Sequence, residues 1–241
     1  MKRIGLIYAL GTEAALLIED LKLRTLPPAD PDLPFLVYSG TYHGLELRLI
    51  VAGTDPRDGA ENIGTNAAVL ATYEMIRTFQ PELILNPGTA GAFQTKGARI
   101  GEVFIGRDVV RFHDRRVSIP RFENSSVGHY PVQPARRLAE ALNLRMGIVS
   151  SGNSLDCPEI DLERILANEA DLKEMEAAAI GWVAWMKRVP FLPIKSVTDF
   201  IEHHETVAEQ FYRNYELACR ELTRVVKDVL RYASERTLDQ F

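Results

Sequence analysis

Short apolar runs alternate along the chain with segments in which apolar residues recur every three or four positions. The apolar runs predict buried strands at residues 4–10, 82–86, 145–151 and 191–197. The longer period predicts helices at 13–23, 59–79, 133–142, 161–168, 177–187 and 207–232. Residues 35–40 and 45–52 flank a turn and predict a hairpin, and 103–113 predicts a strand with one open face. Residues 24–34 predict a loop, and 114–130 show no clear period. This order predicts one domain over residues 1–241, a single three-layer α/β/α fold with a mixed central sheet between helices.

One helix–strand unit, residues 174–199, places two carboxylates at the same edge of the predicted sheet. Glu176 precedes the helix at 177–187, and Asp199 follows the strand at 191–197. Ligands of open α/β sheets bind at the carboxyl ends of the strands. Two carboxylates at that edge fit acid–base chemistry. Spacing alone favours structural roles, Glu176 as a first-turn helix acid and Asp199 as a cap of the next helix.

Three turns of small residues follow predicted strands, at residues 11–12, 87–91 and 151–154. Glycine lets the main chain come close to a ligand, although each turn alone is ordinary strand–helix chemistry. None of them matches the phosphate-binding or dinucleotide-binding glycine motifs. Together with Glu13, Glu176 and Asp199 at one edge, they predict a site for a polar small molecule.

Composition excludes several classes of partner. The net charge of −5 gives no basic surface for nucleic acid, and no run approaches the roughly 18 apolar residues of a membrane span. The first ten residues lack a signal-peptide cleavage site and predict a strand. Cys157 and Cys219 form no disulfide framework, which favours a cytoplasmic protein.

Two groups of histidines and acids invite a metal-site interpretation that their spacing does not support. His113 and Asp114 are adjacent, so on a strand their side chains point to opposite faces. The run His203-His204-Glu205 has the wrong spacing for a ligand set. We therefore predict no metal site.

Six motifs occur in an order that covers nearly the whole chain: Glu13 within YALGTEAALL, then NPGTAGAF, FHDRRVSIPRF, SSGNSLD, KEMEAAAI and KSVTD. This ordered set resembles the methylthioadenosine/S-adenosylhomocysteine nucleosidases of the purine nucleoside phosphorylase superfamily, above all the plant-type methylthioadenosine nucleosidases. The resemblance implies hydrolysis of the N-glycosidic bond of a 5'-thioadenosine in methionine salvage, without a cofactor. It also implies a homodimer.

The resemblance assigns roles to three carboxylates. Asp199 matches the acid that protonates adenine N7, and Glu13 matches the base that activates water. Glu176 matches the residue that accepts hydrogen bonds from the ribose hydroxyls. The division of labour between acid and base is that of inverting glycosidases.

The same resemblance assigns substrate-binding positions. Thr89 lies beside the ribose and Met175 packs on the sugar, and Ala90 and Gly91 are further substrate-binding positions. Leu155 and Asp156 lie where the family holds adenine by stacking and by main-chain hydrogen bonds, and Asn153 is a substrate-binding position in the turn before them. Thr198 matches a hydroxyl next to the acid, and Lys195 stands where bacterial members often have Arg and plant-type members have Lys. Leu10, Ile63 and Val207 line the 5'-alkylthio pocket, and His113 reaches the site from a partner subunit.

The chain departs from the family pattern at three places. Asn153 replaces a usual Asp in the adenine loop, and Ala92 replaces a usual Gly. Gly11-Thr12 replaces residues that are more acidic in many bacterial members. These changes leave the three carboxylates in place, and they bear on substrate and pH preference.

Three alternatives stay open. A phosphorylase of the same superfamily would need an anion site, for which Arg57 between Gly53 and Gly59 is a candidate. A nucleosidase for another 5'-modified adenosine, such as aminodeoxyfutalosine, would share the carboxylates. A non-catalytic nucleoside-binding protein has no need of all three acids.

Overall fold

The computed structural model describes residues 1–202 and 207–241. The strands in chain order are β1 (Arg3–Tyr8), β2 (Arg24–Leu26), β3 (Leu36–Tyr42), β4 (Leu45–Val51), β5 (Leu83–Ala92), β6 (Val103–Phe112), β7 (Tyr130–Pro131), β8 (Arg145–Ser151), β9 (Leu172–Glu174) and β10 (Phe191–Phe200). The helices are α1 (Gly11–Asp20), α2 (Thr65–Phe79), α3 (Pro120–Val127), α4 (Arg136–Leu142), α5 (Glu159–Ala167), α6 (Ala177–Lys187) and α7 (Val207–Ser234).

The strands form one mixed sheet in the order β10-β6-β8-β9-β5-β1-β4-β3-β2, with β7 beside β6. Strands β1, β4, β5 and β10 pair in parallel, whereas β3 and β4 form the predicted antiparallel hairpin. Strand β10 also pairs with β5, so that β10, β6, β8, β9 and β5 form a closed circuit of paired strands. The mixed α/β class with a central mixed sheet is confirmed, and its curvature brings the ends of β5, β9 and β10 together.

Alternate residues of β1 supply the two sides of the core, as the period-two geometry of a strand requires. Ile4 and Leu6 pack into a cluster with apolar residues of α1, α4 and α7. Ile7 packs into a second cluster with residues of α2 and α6. Helices therefore cover both faces of the sheet.

Strand β5 is longer than predicted, and the predicted turn at residues 87–91 lies inside it. Strand β10 runs beside it in parallel from the Phe191–Ile84 pair to the Phe200–Ala92 pair. The backbone groups of these small residues are thus satisfied by a neighbouring strand. The sequence signal of a turn was wrong here because small residues also allow close packing at the strand ends.

Further differences lie at element boundaries. Helix α2 begins at Thr65 and not at residue 59, because Gly64 has a φ of 87°, outside helical geometry. The segment without a period contains α3, and the short strands β2 and β9 were not predicted. The run His203-His204-Glu205 lies outside the described residues.

Two searches of the described residues bear on partner classes. No described helix is long and apolar enough to cross a membrane. No group of three described His, Cys, Asp or Glu side chains is arranged to hold a metal ion.

Candidate active site

A cavity of about 480 Å³ opens where β1, β5, β9 and β10 end and α7 passes over them. Glu13, Glu176 and Asp199 all line it. The sequence predicted that these three carboxylates share one edge of the sheet, and the structure brings them into one cavity. The wall is mostly apolar, which makes each buried charge costly unless it is paired or hydrogen-bonded.

Glu13 is on the first turn of α1, and its residue surface is only 3% exposed. The backbone N–H and the hydroxyl of Thr89 both donate to Glu13 Oε1, at 2.8 and 2.7 Å. Burial raises the pKa of Glu13 above its ordinary value, against the hydrogen bonds from Thr89 and the charge of Lys195. A Cβ at Gly88 would lie 3.2 Å from Lys195 Nζ and 3.6 Å from Glu13 Oε2, so glycine leaves room for both groups.

Asp199 lies near the end of β10, just after a register shift between Val197 and Asp199. Its side chain is buried, and the Thr198 hydroxyl donates to Oδ1 at 2.7 Å. A Cβ at Gly91 would lie 2.5 Å from Asp199 Oδ2, so only glycine fits opposite this carboxyl group. Burial raises the pKa of Asp199, while the Thr198 hydrogen bond and the charge of Lys173 act in the other direction.

Glu176 is the residue immediately before α6 and is part-buried. The Gly64 N–H, at the start of α2, donates to Glu176 Oε1 at 2.7 Å. Burial and the neighbouring charge of Glu174 raise the pKa of Glu176 to about 7. Near neutral pH this carboxyl group is therefore present in both its protonated and its ionised form.

A buried ion pair between Lys195 and Glu174 lies beside these groups, and the sequence analysis assigned no role to Glu174. Lys195 Nζ lies 2.9 Å from Glu174 Oε2, and both side chains are buried. The Glu174 carboxylate also accepts the Ser151 hydroxyl and the Ala177 N–H, the latter at 2.9 and 3.1 Å. Although burial acts to raise it, Lys195 and these donors hold the pKa of Glu174 below its ordinary value. The one sequence feature that could have indicated a role for Glu174 is its position two residues before Glu176.

Most predicted substrate-binding residues line the cavity: Leu10, Ile63, Thr89, Ala90, Gly91, Leu155, Met175, Lys195 and Thr198. Sequence reasoning assigned no site role to several further lining residues: Thr12, Glu61, Asn86, Lys173, Phe211, Tyr212 and Tyr215. The hydroxyl groups of Thr12 and Tyr215 lie 2.6 Å apart and join α1 to α7. Phe211, Tyr212 and Tyr215 lie on α7, for which the sequence predicted only a helix at residues 207–232.

Asn153 does not line the cavity. Its side chain joins the start of α2 to Asp114, and we call this set of hydrogen bonds the clamp. Its Oδ1 accepts the N–H and the hydroxyl of Thr65 at 3.0 and 2.9 Å, at the start of α2. Its Nδ2 donates to Asp114 Oδ2 at 2.8 Å. Asp156 is exposed and is not among the lining residues. Neither side chain lines the cavity, and the assignment of Asn153 and Asp156 as substrate-binding positions stays a prediction.

His113 was expected to reach a partner's site, but it is only 1% exposed and lies inside its own chain. A Cβ at Gly152 would be 2.2 Å from His113 Nε2, so the ring packs directly under that glycine. Burial and the charge of Lys173 lower the pKa of His113 to about 4, which keeps the ring neutral. Val207 begins α7, and its side chain lies outside what the structure describes.

The motifs and the cavity agree with comparisons to known proteins. A family model described as the phosphorylase superfamily matches residues 3–231. The chain belongs to the phosphorylase superfamily. The family resemblance that the sequence motifs indicated is confirmed at the level of this superfamily.

Within the superfamily, two Arabidopsis thaliana proteins are similar over nearly their whole length. A 5'-methylthioadenosine nucleosidase is 36% identical over 234 residues, 96% of this chain and 87% of the relative. A 5'-methylthioadenosine/S-adenosylhomocysteine nucleosidase is also 36% identical, over 237 residues, 98% of this chain and 93% of the relative.

Comparison with solved structures gives the same result for the fold. The apo structure of the Arabidopsis thaliana 5'-methylthioadenosine nucleosidase superposes with a TM-score of 0.97 at 34% identity, over 100% of this chain and 99% of that chain. A futalosine hydrolase of Helicobacter pylori superposes with a TM-score of 0.80 at 19% identity, over 96% and 98% of the two chains, and shares the fold.

Proposed function

We propose that this chain hydrolyses the N-glycosidic bond of 5'-methylthioadenosine to give adenine and 5-methylthioribose. The relatives at 36% identity are nucleosidases for this nucleoside, and one of them also carries S-adenosylhomocysteine in its name. The observation that carries the proposal is that Glu13, Glu176 and Asp199 line one cavity of about 480 Å³, a size suited to one small ligand.

Asp199 acts as the acid. Adenine leaves poorly as an anion, so a proton must reach N7 as the C–N bond breaks. Burial raises the pKa of Asp199 and favours the protonated form that this step needs. The Thr198 hydrogen bond to Oδ1 keeps the carboxyl group in one orientation.

Glu176 binds the ribose hydroxyls. Its pKa of about 7 means that hydroxyl donors from the ligand, which favour the ionised form, shift it to the carboxylate. The sugar develops positive charge as the bond breaks. The carboxylates of Glu176 and Glu174 on one side of the cavity stabilise that charge.

Glu13 acts as the base that takes a proton from water. The two Thr89 hydrogen bonds to Oε1 fix the carboxylate on the cavity wall. Its raised pKa brings its proton affinity closer to neutral pH, where a general base is most effective. Each such group typically contributes about 10²–10⁴ to the rate.

The charges of the cavity favour water over phosphate as the nucleophile. Glu13, Glu61, Glu174 and Glu176 all line it, and carboxylates repel an anion. Arg57, the candidate phosphate ligand, has a side chain that is 85% exposed and pairs with Asp55 at 2.6 Å. It does not line the cavity. Hydrolysis is therefore the preferred reaction, with phosphorolysis as the alternative.

Apolar side chains at one part of the wall suit a thioether on the 5' carbon. Leu10, Ile63 and Phe211 line the cavity together with Tyr212. Sulfur and a methyl group pack well against such surfaces. S-adenosylhomocysteine and aminodeoxyfutalosine each carry a carboxylate on the 5' substituent. The cations among the described lining residues are Lys173, which bonds to main-chain carbonyls, and Lys195, which pairs with Glu174. Neither is therefore available to bind that carboxylate.

A homodimer is also part of the proposal. Leu70 and Tyr73 on α2, and Trp185 and Met186 on α6, are each roughly half exposed, and the two helices pack against each other. Large apolar side chains exposed on neighbouring helices are typical of an interface. Light scattering after size-exclusion chromatography tests this: the mass should be twice 27.1 kDa. A mass of one chain at micromolar concentration would contradict it.

Adenine release from 5'-methylthioadenosine in phosphate-free buffer tests the proposed reaction. We expect rapid release that added phosphate does not accelerate, and slower release from S-adenosylhomocysteine. Release that depends on phosphate would identify a phosphorylase. Binding without release of adenine would identify a nucleoside-binding protein, and release only from aminodeoxyfutalosine would change the substrate.

A further inference from the structure

Lys173 is a lysine in the wall of the cavity that the proposed mechanism does not use. It is only 6% exposed, in the three-residue strand β9. Its Nζ donates to the carbonyl oxygens of Ser154 at 2.8 Å and Leu155 at 2.9 Å. Lysine is almost never this buried without a partner, and these partners are neutral carbonyls. Among the described residues, no carboxylate lies within ion-pair distance of its Nζ.

The sheet places this lysine opposite the proposed acid. Lys173 on β9 pairs with Gly91 on β5, and Gly91 pairs in turn with Asp199 on β10. Residues paired across a sheet point to the same face, so Lys173 and Asp199 stand on one face with Gly91 between them. Gly91 has no side chain, and a Cβ there would lie 2.5 Å from Asp199 Oδ2. No side chain therefore separates the ammonium group from the carboxyl group along this row.

The charges around the pair come from several elements. Asp199 is acted on by the Thr198 hydroxyl beside it and by Lys173 across the row, both of which favour its ionised form. Burial lowers the pKa of Lys173, while the acidic groups of Cys157, Asp199, Asp156 and Glu174 act to raise it. His113, which also interacts with Lys173, is held neutral. Lys173 thus supplies the positive charge that opposes the effect of burial on Asp199.

We propose that Lys173 is a positioning residue for leaving-group protonation, which holds the 154–155 loop in place and stabilises the Asp199 carboxylate that forms when the proton leaves. This inference rests on the proposed function, since it concerns the same acid. In the step, the proton moves from Asp199 to adenine N7, the C–N bond breaks and its electron pair goes to adenine. Asp199 is left ionised in a buried site, where a nearby cation is worth far more than in water.

Three variants separate the charge of Lys173 from its hydrogen bonds. Lys173→Met removes both, Lys173→Gln keeps an amide donor without charge, and Lys173→Arg keeps the charge. Removing a cation raises the pKa of a carboxyl group on which it acts, by up to about one unit where the two groups are not in direct contact. We therefore expect the alkaline limb of kcat to move to higher pH by about one unit in the Met and Gln variants.

The same variants should change kcat and KM in different ways. We expect kcat below the alkaline limb to fall by up to about 10-fold in both uncharged variants, because an acid whose pKa is raised by about one unit gives up its proton less readily. KM should rise more in Lys173→Met than in Lys173→Gln, since only the former loses every donor to the loop carbonyls. Lys173→Arg should retain the wild-type position of the alkaline limb.

A second measurement is independent of turnover. The Asp199 carboxyl resonance, assigned in ¹³C-aspartate-labelled protein by its loss in Asp199→Asn, should titrate at higher pH in Lys173→Gln than in wild type. An unchanged titration and an unchanged alkaline limb would overturn the proposal. If wild type releases no adenine, the proposed function fails, while the resonance still decides whether Lys173 acts on Asp199. If Lys173→Met does not fold, the Gln and Arg variants decide the question.

Discussion

Thr89 holds Glu13 through a single carboxylate oxygen. Its backbone N–H and its hydroxyl both donate to Glu13 Oε1, at 2.8 and 2.7 Å. Both hydrogen bonds favour the ionised carboxylate and oppose the burial that raises its pKa. Thr89 therefore sets both the orientation and the proton affinity of the proposed base.

Thr89→Val removes the hydroxyl and keeps the shape of the side chain and the backbone donor. We expect kcat to fall about 10-fold or more, because a hydrogen bond to an ionised carboxylate contributes about 1.5–3 kcal/mol and its loss also raises the pKa of Glu13. The acid limb of the pH profile should move to higher pH, since Glu13 must be ionised to act. Thr89→Ser should behave like wild type. An unmoved acid limb in Thr89→Val would show that the hydroxyl does not act on the base.

Glu176→Gln should stabilise the protein at alkaline pH. The pKa of Glu176 is raised to about 7 in the folded state, so the folded protein keeps a proton that the unfolded chain releases from about pH 4.5 upward. Wild type therefore loses stability as pH rises between these two values, and the loss persists above pH 7. Glutamine carries no such cost. We expect thermal unfolding of the variant at pH 8 to occur several degrees above wild type, and at pH 4 to match it within about 1 °C. Equal Tm values at both pH values would contradict this assignment.

Lys195→Met should destabilise the fold, because it leaves the Glu174 carboxylate buried without its cation. Breaking one side of a buried ion pair typically costs about 3–5 kcal/mol. The double variant Lys195→Met, Glu174→Gln removes both charges and should recover much of that loss. Urea unfolding at pH 7 measures both values. A double variant no more stable than the single one would show that the two side chains contribute separately.

Asn153→Asp restores the usual family residue and tests the clamp that Asn153 forms between Thr65 and Asp114. The amide donates to Asp114 and accepts from Thr65, whereas a carboxylate can only accept and would face a second carboxylate at 2.8 Å. We expect KM for 5'-methylthioadenosine to rise several-fold, since the clamp joins the 153–155 segment to the start of α2. Adding Asp114→Asn exchanges the two groups and should restore KM. If the single change leaves KM and Tm as in wild type, the clamp has no role in binding.

The positions of the carboxylates followed from the sequence because strand and helix ends obey simple periodic signals. Glu13 and Glu176 each lie at the start of a helix, and Asp199 follows an apolar run. The chain direction of parallel strands then places all three at one edge. This part of the site needed no knowledge of side-chain contacts.

The rest of the site depended on strand pairing that the sequence does not display. Strand β9 has only three residues, and its pairing buries Lys173 and Glu174, two charged residues that carry no apolar signal. The segment 87–91 has the composition of a turn, and its place beside β10 made it a strand. Asn153 and Asp156 follow β8 as predicted, but their side chains do not line the cavity.

The most direct test of the central claim is adenine release by Glu13→Gln and Asp199→Asn in phosphate-free buffer. The surface variants Glu140→Gln and Asp32→Asn are matched controls, since both residues are exposed. We predict that each active-site variant lowers kcat by about 10²–10⁴ and still binds 5'-methylthioadenosine, while the controls keep wild-type rates. Turnover that survives both active-site changes would contradict the assignment of these two carboxylates as base and acid.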